Sequence, residues 1–280
     1  MNKIGKTIAA GVVIIIIGAI IMVVALGLNG WKIDDEYEMK EYNGENAVTA
    51  IKLDFAIGKI KTQFYDGERV KVEYPENKFL NTAISEQNGE LTIKTTSKFR
   101  WFNFGSLFRA IPEAVISVPQ GTVVSLDFTV NAGTVDIAEG AYTDVTININ
   151  AGTVNLNDAV CAKFTAKLNA GTLNTGKLTA ATADCKVNAG LIKVNDATCA
   201  KFTGNVNAGK IAVSKLKSDD ILLDVDAGSI EITVDGQKDD YTVTAKVSAG
   251  SCNLSSQKGN DPLKSINVDV DAGSISVSFN

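Results

Sequence analysis

Two acidic pairs, Asp219-Asp220 and Asp239-Asp240, are the residues whose type could do hydrolytic chemistry. Glycoside cleavage needs two carboxylates that converge across one bond. Adjacent carboxylates on one chain point apart, so these pairs do not meet that need by themselves. A carbohydrate-active reading stays open because solenoids that cleave polysaccharide exist. The chain has no histidine, which excludes a Ser-His-Asp triad, a histidine metal site and a histidine general base. The four cysteines, Cys161, Cys185, Cys199 and Cys252, form no Cys-x-x-Cys pair, so no zinc or redox signature is present. Calcium-binding repeats of the Gly-Gly-x-Gly-x-Asp type are missing too. No catalytic residue, metal or cofactor is expected. The net charge of −5 also speaks against a nucleic-acid partner.

Other residues could bind without reacting. Arg100, Trp101, Phe102, Phe104, Leu107, Phe108 and Arg109 crowd aromatic and cationic side chains into one short stretch. Aromatics at lipid headgroups with arginine near phosphate would make it a membrane contact, and the same chemistry suits a docked protein partner. A third reading is a cap over the first open coil of the domain. Asn131, Asn150, Asn169, Asn188 and Asn207 recur in register and read as a stacked amide ladder, with a ligand-binding row as the alternative. Thr134, Thr153 and Thr172 form a shorter column that could lie against an ordered surface such as ice or glycan.

Those columns come from a repeat that must position them. The tripeptide Asn-Ala-Gly returns every 19 residues from Asn131 to Asn207, and variants begin at Asp226, Ser248 and Asp271 with final spacings of 22 and 23. One supersecondary unit per repeat is the physical reading of such a period. On both sides of the tripeptide apolar residues alternate with polar ones, the mark of half-buried strands. Val130, Ile149, Leu168, Val187, Val206, Val225, Val247 and Val270 precede the tripeptides and form one apolar file. Gly133, Gly152, Gly171, Gly190, Gly209, Gly228, Gly250 and Gly273 mark the corners, where glycine reaches φ > 0 freely. A coil this short has no room for a return helix. The expected fold is therefore all-β: a parallel β-solenoid, or β-helix, right-handed by general crossover chirality.

Stacking predicts specific neighbours. Phe164, Ala183 and Phe202 should share an inner file, large-small-large. Asp224, Lys246 and Asp269 should share an outer file with alternating sign. Cys161 and Cys199 lie two coils apart, about 9.6 Å by strand spacing, beyond the roughly 7 Å limit for a disulfide. All four cysteines read as small core residues. The last coil, ending at Asn280, leaves an open strand edge that invites self-association.

Residues 8–28 are an uncharged apolar run, about 31 Å long as a helix at roughly 1.5 Å per residue, enough to cross a bilayer. Lys3 and Lys6 precede it and Asp34, Asp35, Glu36 and Glu38 follow it. The positive-inside rule then places residues 1–7 in the cytoplasm and everything after Trp31 outside, in a single-pass cell-membrane protein. A cleaved signal peptide and a buried soluble helix are the rival readings. Residues 29–47 read as an acidic linker, and residues 48–280 as the solenoid, with its degenerate first coils over 48–128.

With serial x-x-Gly-x-[Ile/Val] corners, the step Val118-Pro119-Gln120-Gly121 and the aromatic insert before it, residues 48–280 resemble the bacterial putative-adhesin family, whose members occur in Gram-positive envelopes. Members often carry Ser-Ser-Gly or Ser-Ala-Gly where this chain has Asn-Ala-Gly. The resemblance implies an exported, non-catalytic solenoid that acts as a binding or adhesion module on wall polymer or an envelope protein. Some relatives are linked to envelope-stress operons, so a scaffold or regulator of that signalling is the alternative. A carbohydrate-active enzyme is the second alternative.

Overall fold

A computed structural model describes residues 37–97 and 111–280. The apolar run 8–28 and the aromatic segment 99–109 lie outside the described residues. Among those described, no helix is long and apolar enough to cross a membrane.

The chain enters through β1 (Glu38–Asn43), then forms a first coil from β2 (Ala50–Phe55) and β3 (Lys59–Tyr65). It next lays down β4 (Lys71–Glu76) and β5 (Leu80–Gln87), followed by a second coil from β6 (Glu90–Ser97) and β7 (Glu113–Pro119). Strand β2 sits between β6 and β8 (Val124–Val130), and β3 between β7 and β9 (Thr134–Ile137), all parallel. The first coil in sequence is thus the second in space. Outside β6 and β7 the pairing turns antiparallel: β5 lies on β6, β4 on β7 and β1 on β4. Part of the segment expected to be linker is therefore strand. Tyr42 packs against the core through β1, and alternation was hidden there because the other five positions are exposed.

From β8 onward the coils follow sequence order. They use β10 (Gly140–Ile149), β11 (Thr153–Leu156), β12 (Ala159–Leu168), β13 (Thr172–Val187), β14 (Leu191–Val206), β15 (Lys210–Lys217), β16 (Asp220–Val225) and β17 (Ser229–Val234). Strands β13 and β14 each run through the return into the next coil. The files match the expectation: Phe164, Ala183 and Phe202 stack and are fully buried. The file Val130-Ile149-Leu168-Val187-Val206-Val225 is in register throughout.

Order breaks again at the far end. The remaining strands are β18 (Thr242–Val247), β19 (Ser251–Cys252), β20 (Ser265–Val270) and β21 (Ser274–Phe279). Strand β20 lies between β16 and β18, and β21 between β17 and β19. The last coil in sequence is next to last in space. Two expectations change with it. Asp224 faces Asp269 directly, with Lys246 on the far side of Asp269. The terminal edge belongs to β18 and β19, not to the coil that ends the chain.

The corners show why glycine recurs. A Cβ on Gly171 would stand 2.3 Å from the carbonyl oxygen of Gly152, and the same clash repeats at each coil. Gly58, Gly133, Gly152, Gly171 and Gly190 also hold φ between 105° and 146°. At Gly209, Gly228, Gly250 and Gly273 close approach alone is the reason, since their φ lies outside the left-handed region.

Candidate interaction surfaces

The expected contact residues Arg100, Trp101, Phe102, Phe104, Leu107, Phe108 and Arg109 lie outside the described residues. Their flanks are placed: Ser97 closes β6 and Glu113 opens β7, in the coil nearest the N-terminal end. Ile111 and Pro112 line a small apolar cavity there with Phe55, Leu80 and Ile93. Its volume of about 10 Å³ is water-sized.

The amide ladder is real and directional. Asn150, Asn169, Asn188 and Asn207 each donate Nδ2–H to the Oδ1 of the asparagine one coil before, at 2.7–3.0 Å. Asn131 donates to the Asp54 carboxylate at 3.1 Å, so an acceptor-only group starts the chain. A second ladder runs from Asp136 through Asn155 to Asn174. Sequence reading missed it, although Asp136, Asn155 and Asn174 share the same spacing. Side chains that satisfy one another are poor ligand rows. The threonines Thr134, Thr153 and Thr172 do align, and Leu191 and Lys210 then end that column.

The acidic pairs are joints between coils. Asp220 binds Lys201 at 2.8 Å and accepts from Ser265 Oγ at 2.8 Å; Lys201 holds its carboxyl below the usual range. The carbonyl of Asp219 accepts from the Ser265 amide. Asp240 binds Lys264 at 3.3 Å, and the carbonyls of Asp239 and Asp240 accept from Asn260 and Asp261. The four cysteines are free thiols, Cys161, Cys185 and Cys199 being buried. Burial pushes the Cys161 thiol up to about 11 and Cys185 higher still.

Beyond Asn207 the ladder meets Asp226, whose side chain has no amide N–H to continue it. Asp224, Asp226, Asp269 and Asp271 then share one outer face. Partial burial, with the charges of Asp226, Asp269 and Asp271, raises the Asp224 carboxyl, and Lys186 opposes the rise. On the other face a groove of about 390 Å³ crosses β15, β17 and β21, lined by Ser214, Thr233, Ser276, Ser278 and Glu231.

The strand edge at the C-terminal end is stopped by its own loop. Val243 exchanges two backbone hydrogen bonds with Gln257, at 2.9 and 3.0 Å. Ser256 Oγ accepts from the Ala245 amide and donates to its carbonyl. The Asn253 side chain does the same for Val277, at 2.9 and 2.8 Å, where β19 is too short to reach.

The family described as Toastrack DUF4097 matches residues 48–278. No curated protein matches. A solved "putative adhesin" from Parabacteroides merdae is 13% identical, with a TM-score of 0.54 over 88% of this chain and 96% of that one. Another "putative adhesin", from Parabacteroides distasonis, is 15% identical, with a TM-score of 0.48 over 88% and 98%. At such identity the first likeness is one of fold.

Proposed function

The chain belongs to the Toastrack DUF4097 family, the putative-adhesin family that its corners resemble, and from that premise we propose that it is a membrane-anchored, extracytoplasmic binding module of the cell envelope. It acts by contact and not by catalysis. Residues 8–28 anchor it, residues 1–7 stay in the cytoplasm, and the solenoid stands outside.

One observation carries this reading. Strand β1, which begins ten residues after Leu28, and the strands that flank residues 98–110 belong to the same end of the solenoid. An extended chain covers at most about 3.6 Å per residue, so that end stands within roughly 36 Å of the membrane surface. Contact with headgroups or a neighbouring membrane protein is then assigned to Arg100, Trp101, Phe102, Phe104, Leu107, Phe108 and Arg109, and the long β-faces are left for wall polymer. The same placement favours the second reading, a scaffold for envelope-stress signalling through contacts near the membrane. The carbohydrate-active reading gains no support, because Asp220 and Asp240 are engaged with Lys201 and Lys264.

Protease added to intact wall-stripped cells should digest residues 48–280 while the anchor stays with the membrane. Full protection of the solenoid would sink the outward placement. A pull-down on wall polymer, run beside one on membrane-protein partners, separates the two modes of contact.

A further inference from the structure

Among the described residues, the solenoid guards the strand edges of its C-terminal end and leaves most of those at its N-terminal end unpaired. At the C-terminal end Gln257, Ser256 and Asn253 occupy outward peptide groups of Val243, Ala245 and Val277. At the N-terminal end Asn77 occupies the outward peptide groups of Leu80, the first residue of β5, and nothing among the described residues pairs with the rest of the outer edge of β5 or with that of β1. Strand β5 has no charge between Lys78 and Glu86, and charge is the usual deterrent on an edge. Its hairpin turns through Asn88 and Gly89, at φ 53° and 77°. A two-residue turn of this kind makes Gln87 and Glu90 a hydrogen-bonded pair, so Thr82, Ile84 and Glu86 direct their peptide groups outward.

The open end is also stepped. One side stops at β5, a single strand beyond β6; the other continues through β4 to β1, two strands beyond β7. Two such steps are complementary. A half-turn about a line across the tube sets the long side of one copy on the short side of the other, twice. The alternative two-fold, with β5 on β5, would force the two β1 strands through each other. Met39 on β1 is 50% exposed and would be covered.

We propose that a second copy of this chain docks at the N-terminal end, with β1 of each copy adding to the free edge of β5 of the other. The isologous contact forms two new strand pairs and closes both open edges at once. It places Glu38, Lys40 and Glu41 of β1 beside an uncharged run, so no like charges meet.

Full-length protein in detergent should contain two copies per particle by light scattering corrected for detergent. Ala83→Glu with Ser85→Glu, two exposed positions on β5, should halve the protein mass by repelling Glu41 of the other copy. Adding Met39→Lys should restore it. In a Cys252→Ser background, copies carrying Met39→Cys mixed with copies carrying Ser85→Cys should form a disulfide-linked pair that neither forms alone. One copy per particle in the wild type would overturn the proposal. So would a dimer that survives the two glutamates, or cross-linking no greater in the mixture than in either variant alone.

Discussion

The middle of the solenoid and its two ends obey the same period but not the same order. From β8 to β17 each coil lies on the one before it in sequence, and the inner file from Val130 to Val225 continues throughout. At both ends the terminal coil is tucked one place inward and its sequence neighbour lies outside it. A repeat therefore tells which residues are equivalent, and the connections decide which equivalents touch. The middle is built by translation, so one substitution there meets an equivalent position above and below. The ends are built by individual contacts, and changes there should be milder.

The largest effect belongs to the middle. Gly171→Ala puts a Cβ 2.3 Å from the Gly152 carbonyl oxygen at a φ of +118°. Overpacking and backbone strain together should cost about 3–5 kcal/mol. Gly121 also has positive φ, 77°, but nothing lies within 4 Å of its Cβ position. Gly121→Ala should cost only about 1 kcal/mol. Equal losses in urea denaturation would mean that the glycine file serves turn geometry alone.

One residue of the middle breaks its own rule. Thr175 is 2% exposed between Leu156 and Val194, and its hydroxyl has no hydrogen-bond partner among the described residues. Thr175→Val keeps the shape and removes the orphan hydroxyl, and should stabilise by about 1 kcal/mol. A loss on denaturation would show that the hydroxyl is needed.

At the C-terminal end the corresponding change is Asn253→Ala. It removes two hydrogen bonds to Val277 and should cost about 1 kcal/mol. It also bares the outer edge of β21, so sedimentation should reveal association that grows with concentration. An unchanged sedimentation profile would show that Asn253 supports the coil without guarding it.

How much of this the sequence displays follows from the same contrast. The inner files, the corner glycines and the first amide ladder were legible because each is a column of like residues at fixed spacing. The threading of the ends was not. Its trace is the lengthening of the last spacings to 22 and 23 residues. Passing over a coil consumes extra chain, which residues 235–241 and 253–264 supply, but longer loops fit an ordinary stack equally well. Strand β1 escaped notice because Glu-Met-Lys-Glu-Tyr-Asn buries only part of one side chain. The edge guard escaped because Asn253, Ser256 and Gln257 act through single hydrogen bonds that no periodicity announces.

The smallest effect tests the threading itself. If Asp269 lies next to Asp224, the Asp224 carboxyl is raised by partial burial and by Asp226, Asp269 and Asp271, against the pull of Lys186. A raised carboxyl binds its proton more tightly in the folded state. Its contribution is fully present below the unfolded pKa of about 3.9 and is lost as pH rises through the higher folded value. Asp220, held low by Lys201, slopes the other way, so the wild-type profile alone cannot separate them. Asp224→Asn removes one slope and leaves the other. Its stability should equal the wild type's at about pH 3 and exceed it at about pH 7, with the gain appearing as Asp224 ionises. Lys246 as the direct neighbour would reverse the outcome, because an adjacent ammonium would make the ionised aspartate favourable and the asparagine variant the weaker protein near neutrality.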